Sequence, residues 1–323
     1  MISEKSLQQL REIFGRKLQE NVLLANYTTM QVGGPSDALL VANSAGELAE
    51  IVRKLWELEL PVKVLGSGSN LLVSDKGIRA VTVINHAHNI KINIRSVPIT
   101  VWAESGALLV NVSKKLALWG LKGMEWAATI PGTVGGAVYG NAGAFGGETC
   151  RNLIAADILH REEGRSEWPC EKLEFSYRTS KIKHGLDNAV ILAALFEVIE
   201  GNREEIQANI EKFKKRRRRN QPPGASVGSI FRNPRDEKAG RLIEAVGLKG
   251  KRIGGAVISE QHANFIINEG GATAKDILTL LEMAHDKVME KFNIALMPEI
   301  EVIGDWDSLP DFLQNNQTSK AVK

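Results

Sequence analysis

Residues 130–147, IPGTVGGAVYGNAGAFGG, place glycine at seven of eighteen positions. Glycine loses more conformational freedom on ordering than any other residue, so a cluster this dense needs a physical reason. Two are available: turns that require positive φ, or a ligand that must touch bare backbone. A shorter stretch of the same kind, GSGSN at 66–70, directly follows VKVL at 62–65, which reads as a short strand. Amides stripped of side chains can converge there on phosphate oxygens, with Ser67, Ser69 and Asn70 adding side-chain donors. In the longer segment Pro131-Gly132 and Gly135-Gly136 form a second bare surface, Thr133 offers a hydroxyl, and Asn141 and Gly143 open a further turn. Neither stretch is the GxGxxG of a Rossmann fold or the GK[ST] of a P-loop. Two such surfaces suit a dinucleotide with a long diphosphate bridge better than a mononucleotide. Ligand contact is therefore favoured over packing as the account of the glycines.

A chain of 323 residues has room for two or three domains. Apolar content of 43% with 24% charged residues is that of an ordinary globular protein. Forty-one basic against thirty-eight acidic side chains leave +3, which exerts no global pull toward nucleic acid or an anionic membrane. Cys150 and Cys170, the only cysteines, make neither a disulfide framework nor a zinc spacing, and no metal is expected. The N-terminus reads as an amphipathic helix with Leu7, Leu10 and Phe14 on one face rather than a signal peptide, and no apolar run is long enough to span a membrane. A cytoplasmic protein, monomeric, is the expectation.

Along the chain, Ser44 and Glu47 read as a capping box ahead of a helix carrying Leu48, Ile51, Val52 and Leu55. Residues 62–65, 80–84, 99–103 and 189–198 read as strands, and a helix carrying Leu109, Val112 and Leu116 precedes Gly120. This alternation predicts α/β or α+β architecture. A second unit is predicted from about 201. Its helices carry Ile206, Ile210 and Phe213, then Leu242, Ile243 and Val246 with Gly247 as cap, then Ile277 to Phe292 behind Thr273 and Asp276. Strands at 264–268 and 299–304 complete it, and a polar tail follows.

KKRRRR (214–219) invites a nucleic-acid reading, but it occupies the last turns of a helix, where cations complement the dipole, and no aromatic residues interleave to stack bases. One or two of these arginines meeting a phosphorylated substrate is the better reading. Three other side chains stand in unusual settings. Arg178, in FSYRTSK, is flanked by Ser, Tyr and Thr, as a guanidinium held to meet an anion would be. Ser229 lies in SVGSIFRNP, which is not GxSxG; its hydroxyl can donate a proton to a strongly basic carbanion, although a turn serine is the blander reading. Glu299 in LMPEIEVIG either faces solvent or lines a cleft, and Glu301 shares its strand face, so the pattern does not choose between them. His262 in EQHANF reads equally as a substrate contact or a satisfied core histidine.

Taken in order and spacing, TTMQVGGPSD, LGSGSNLLV, GMEWAATIPGTVGGAVYGNAGAFGGE, FSYRTSK, GSIFRNP, GLKGKRIGGAVIS and HANFIIN resemble the UDP-N-acetylenolpyruvoylglucosamine reductase family, flavoenzymes of peptidoglycan precursor synthesis. The resemblance runs from about 28 to 304. It implies an α+β chain: an FAD-binding domain of the vanillyl-alcohol-oxidase type over 1–200, in two α/β lobes of about 1–75 and 76–200, then a substrate-binding domain over 201–304 and a tail over 305–323. It implies non-covalent FAD, NADPH as hydride donor, and an enolpyruvyl sugar nucleotide as substrate. Gly66, Ser67, Gly68, Ser69, Asn70 and Leu71 would meet the cofactor. So would Pro131, Gly132, Thr133, Gly135 and Gly136, with Asn141, Ala142 and Gly143. Arg178, Ser229 and Glu299 map onto the catalytic positions, and Arg217, Asn233 and His262 onto substrate contacts. Fewer than thirty residues separate Arg178 from Asn202, too few for the tyrosine-bearing lid of one family branch, so the shorter branch is implied. An alcohol or lactone oxidase on the same scaffold and a nucleotide-binding module without chemistry are the rival readings.

Overall fold

The structure, a computed structural model, describes residues 2–184 and 188–318. Its compact units are not consecutive in sequence. One is built from Met1–Leu39, Gly68–Val81 and Arg218–Thr318, the other from Leu40–Ser67 and Thr82–Arg217. Contacts thus group the chain differently from a division near residue 200, and the bonding inside the first unit gives the reason. The strand Leu71–Val73 pairs in parallel with the strand Glu301–Ile303, Leu71 opposite Glu301. The Thr29 hydroxyl donates to the Ser226 carbonyl at 2.7 Å, and Asn268 Nδ2 donates to the Met30 carbonyl at 3.0 Å. Early segments therefore complete a core whose bulk comes from the C-terminal hundred residues.

That core joins Met30, Val32 and Leu72 to Phe231, Leu242, Ile243 and the inner face of the helix Ala274–Phe292. The helix begins where the sequence predicts, behind Thr273, and the structure adds a reciprocal cap there, with Thr273 Oγ1 accepting from the Asp276 amide and Asp276 Oδ2 from the Thr273 amide. Arg252–Ile253, Ala256–Ile258 and Ile266–Asn268 form a small antiparallel sheet in that order. The stretch after Gly304 corrects the expectation of a polar tail. Asp311–Thr318 is helical, and Leu313 is buried in the core with Trp306, Leu309 and Phe312 packed against it. Residues 319–323 of the predicted tail lie outside the described residues.

The other unit is organised by an antiparallel sheet in the order Gly164–Pro169, Leu153–His160, Ala189–Glu200, Ile99–Glu104 and Ile90–Asn93. Its central strand, Ala189–Glu200, is the long apolar run of the sequence, and Leu192, Ala193, Ala194 and Phe196 are buried. The helices Leu109–Leu118 and Val134–Gly140 bury Val112, Leu116, Val134, Ala137 and Val138 in the same core. The helix Ala45–Glu57 starts at Ser44, whose hydroxyl accepts from the Glu47 amide, while the Glu47 carboxylate takes the amide of Asn43 rather than of Ser44. Glu104, buried at 4% exposure, is satisfied by the amides of Ala45 and Asn89.

Candidate active site

The two glycine-rich loops meet inside the second of these units. Gly66 stands against Thr133, and Thr133 is the N-cap of the helix Val134–Gly140, its hydroxyl accepting from the Gly136 amide at 3.3 Å. The next amides are also committed: Val134 donates to the Ala107 carbonyl at 2.8 Å and Gly135 to the Ser105 carbonyl at 2.7 Å. Ser105 is itself fixed by Asn85 Nδ2 on its hydroxyl. The expectation that the glycines are bare mainly for a ligand is therefore corrected for part of the segment. A Cβ on Gly135 would come within 3.0 Å of the Ser105 Cβ, one on Gly143 within 2.7 Å of the Gly147 carbonyl, and one on Gly147 would overlap the Trp126 indole. Packing, not ligand, excludes side chains there. Gly140 and Gly146 meet nothing within 4 Å.

The first loop passes from one unit to the other between Ser67 and Gly68. Gly68 packs on the Tyr27–Thr28 backbone, and its carbonyl accepts from the Thr29 amide at 3.3 Å. Asn70 Nδ2 donates to the Glu299 carbonyl at 3.1 Å, and the Glu301 amide returns to the Asn70 carbonyl at 2.9 Å. Leu71 then begins the strand that pairs with Glu301–Ile303.

Arg178 sits on a two-residue turn. Ser176 and Thr179 exchange both main-chain hydrogen bonds at 3.2 Å, leaving Tyr177 and Arg178 at the tip. Arg178 has φ +60°, a conformation uncommon for a side chain of its size. Its Nη2 donates to the Gly143 carbonyl at 2.9 Å, its Nη1 lies 3.5 Å from the Asn141 carbonyl, and its guanidinium lies over the Tyr177 ring. The Ser180 hydroxyl secures the turn to the Tyr139 carbonyl at 2.7 Å. Asn141, Ala142 and Gly143 thus form the seat of this arginine. The Asn141 side chain is buried within the protein, and the Ala142 carbonyl accepts from the Thr149 amide and hydroxyl.

In the first unit Ser229 and Glu299 are carried by adjoining segments. The Glu299 amide donates to the Ile230 carbonyl and the Arg232 amide to the Met297 carbonyl, both at 2.8 Å, with Phe231 bridged to Pro298. Gly228, at φ +80°, makes the turn that delivers half-buried Ser229. Sequence reasoning missed the residue that fixes this pair of segments. Asn264 is buried, accepts from the Phe231 amide at 3.0 Å and donates to the Phe231 carbonyl at 2.8 Å, while its own carbonyl takes the Ile230 amide. An asparagine inside the otherwise apolar ANFII run was the available signal.

The three expected substrate contacts have distinct surroundings. Arg217 is half-buried, and burial pushes its guanidinium below the ordinary arginine value. Four residues earlier on the same helix face, Phe213 stacks on Phe145 with ring centroids 4.6 Å apart. Asn233 Oδ1 accepts from the amide of Ala239, the first residue of the helix Ala239–Ala245. His262 packs beside Gly240 of the same helix, its Nδ1 accepts from the Asn264 amide, and burial lowers its pKa below 6.5. The two therefore flank one helix start. Among the described residues no cluster of His, Cys, Asp and Glu could hold a metal ion, and no helix is long and apolar enough to cross a membrane. Cys150 and Cys170 are free thiols whose pKa values burial pushes up, which keeps them protonated at neutral pH.

Sequence comparison sets these residues in context. The profile "FAD binding domain" matches residues 36–166, and "UDP-N-acetylenolpyruvoylglucosamine reductase, C-terminal domain" matches 220–303. The UDP-N-acetylenolpyruvoylglucosamine reductase of Bacillus velezensis is 41% identical over 303 residues, 93% of this chain and 99% of its own length. That of Rubrobacter xylanophilus is 42% identical over 285 residues, 87% and 94% of the two chains. The crystal structure of the reductase from Thermus caldophilus superposes with a TM-score of 0.75 at 36% identity, covering 87% of this chain and 97% of the other.

Proposed function

The chain belongs to the UDP-N-acetylenolpyruvoylglucosamine reductase family, and from that premise we propose how its residues divide the work. It is an FAD-dependent oxidoreductase of peptidoglycan precursor synthesis that uses NADPH to reduce the enolpyruvyl ether of UDP-N-acetylglucosamine to UDP-N-acetylmuramate. The end-to-end match to reductases, C-terminal domain included, carries this reading over an alcohol or lactone oxidase, which would share the flavin domain alone. We place the protein in the cytoplasm, as a monomer.

The residues present fit a flavin dinucleotide. Gly66 lies on Thr133, which puts two side-chain-poor loops side by side, and four residues before Thr133 in the chain the Thr129 hydroxyl is buried with no partner among the described residues. With the amides of Val134, Gly135 and Gly136 spent inside the protein, the diphosphate falls to Gly132 and Thr133 and to Gly66 and Ser67. When bound, FAD relays a hydride from NADPH to the terminal methylene of the substrate's double bond.

Around that transfer the chain has three tasks. As the methylene gains hydride, the electron pair of the double bond moves toward the neighbouring carbon and its carboxylate, an enolate-like distribution. Arg178 holds that carboxylate through its guanidinium. Glu299 stabilises the same charge by sharing a proton. Ser229 delivers the proton from Oγ to the carbon beside the carboxylate, and water restores the hydroxyl. A serine is a weak acid, and an enolate carbon is basic enough to take its proton when solvent is excluded. Arg217, half-buried on its helix, meets the diphosphate of the sugar nucleotide, with Asn233 and His262 as further contacts. In domain terms, we assign the flavin to the unit of Leu40–Ser67 and Thr82–Arg217, and sugar-nucleotide recognition to the 218–304 part of the other unit.

The deciding experiment uses the purified holoprotein without oxygen. NADPH bleaches the flavin absorbance, and the enolpyruvyl sugar nucleotide restores it within a turnover. Recovery by air as fast as by the sugar nucleotide would select the oxidase reading, and a colourless preparation that cannot be loaded with FAD would end the flavoenzyme reading.

A further inference from the structure

The proposed role of Arg178 demands that its guanidinium be held in one place, yet the arginine sits where the chain would ordinarily use glycine. In a tight turn of this kind, φ near +60° at the second central position favours Gly or Asn, and a long side chain there is strained. Such a conformation persists only where the surroundings over-determine it.

Asn141 supplies that constraint. It is the C-cap of the helix Val134–Gly140, with φ +44° and ψ +57°, and it is 2% exposed. Glycine suits a left-handed cap equally well, so the cap alone gives no reason for asparagine. The side chain does. Nδ2 donates to the Ser176 carbonyl at 3.1 Å, at the base of the arginine turn, and to Glu148 Oε2 at 3.3 Å. Oδ1 accepts from the Cys150 amide at 3.1 Å, which fixes the amide plane and leaves Nδ2 aimed at Ser176. From the same residue, the main-chain carbonyl lies 3.5 Å from Arg178 Nη1, and two residues on the Gly143 carbonyl takes Nη2 at 2.9 Å. One buried asparagine thus ties down the base of the turn and begins the carbonyl seat of the guanidinium. These acceptors are carbonyl oxygens, which orient the guanidinium.

We propose that Asn141 is a positioning residue for the reduction of the enolpyruvyl double bond, acting through Arg178 and touching neither substrate nor the reacting atoms. This rests on the catalytic reading of Arg178 given above. Asparagine is required because it joins three properties: tolerance of left-handed backbone, a donor for Ser176 and an acceptor for Cys150.

The test compares Asn141→Gly, which keeps the left-handed cap and removes the side chain, with Asn141→Asp, which keeps the acceptor and removes the donor. Each holoprotein is examined alone and with Arg178→Lys. Bleaching by NADPH is expected to survive in all of them. Recovery of flavin absorbance with the enolpyruvyl sugar nucleotide should slow by roughly tenfold to a hundredfold in both Asn141 variants, the scale set by misplacing a catalytic group by about an ångström. Arg178→Lys should slow it as well, and the double variants should be scarcely slower than Arg178→Lys alone, because both changes remove one interaction. Independently of turnover, amide hydrogen exchange over 176–180 should accelerate in Asn141→Gly, while the helix Leu109–Leu118 keeps its protection. Unchanged exchange in that turn, or losses that multiply in the double variants, would overturn the inference. If Asn141→Gly does not fold, Asn141→Asp decides by the same criteria; if neither folds, Asn141 is a folding residue and the inference fails. Wild-type recovery in Arg178→Lys would instead remove the reading of Arg178 on which this one stands.

Discussion

Gly66 and Thr133 stand so close that a Cβ on the glycine would lie 2.5 Å from the threonine hydroxyl and 3.0 Å from its methyl group. This contact joins two loops more than sixty residues apart in sequence, and the threonine in it also caps the helix Val134–Gly140. Gly66→Ala is expected to part the loops and to lower retention of FAD through gel filtration. Thr133→Ala should restore part of that retention by clearing the hydroxyl, at a cost of about 1 kcal/mol in stability for the lost cap. Full retention of colour in Gly66→Ala would show that the loops tolerate separation.

Glycines of the 130–147 segment should respond oppositely to the same substitution. Gly147→Ala drives a methyl group into the Trp126 indole and should cost roughly 1–3 kcal/mol by overpacking. Gly140→Ala, at a helical position with nothing within 4 Å, should stabilise by about 0.4–1 kcal/mol through the unfolded chain. Denaturant unfolding of the flavin-free protein measures both. Equal effects would mean that packing does not distinguish these positions.

Ser229→Ala should bind FAD and be bleached by NADPH as the parent protein is, because the serine acts only after hydride has left the nicotinamide. Turnover of the enolpyruvyl substrate should fall by about 10²–10⁴-fold, the usual contribution of a positioned proton donor. Stopped-flow absorbance separates the two half-reactions. Parent-like turnover would remove Ser229 from the mechanism.

His262 gives a pH signature. Its folded pKa is depressed below the ordinary 6.5, with burial as the leading cause, so the unfolded chain binds the proton more readily than the folded one. The unfolded state is therefore favoured as pH falls below about 6.5, and the protein should lose stability there. His262→Gln should flatten that slope. Parallel slopes for the two proteins between pH 7 and 5 would show that the imidazole titrates alike in both states.

Much of this protein was legible before its structure. The cap at Thr273, the apolar strand 189–198 and the helix carrying Leu109, Val112 and Leu116 all stand where periodicity and capping chemistry place them, because such signals are local. The unpatterned signals were harder. Trp306, Leu309, Phe312 and Leu313 are too few and too irregularly spaced to announce a buried segment, and the stretch read as tail. Asn264 carries no motif, although it clamps the backbone beside Ser229.

The sequence by itself determined the local elements, the family resemblance and the residue types that carry the chemistry, because each of these is written in neighbouring positions. Only the tertiary structure decided why the glycines are glycines. A missing side chain does not say what occupies its place. At Gly66 it is Thr133, at Gly135 it is Ser105, and at Gly147 it is Trp126. Each neighbour is distant along the chain, and steric exclusion by such a neighbour exists only once the chain is folded.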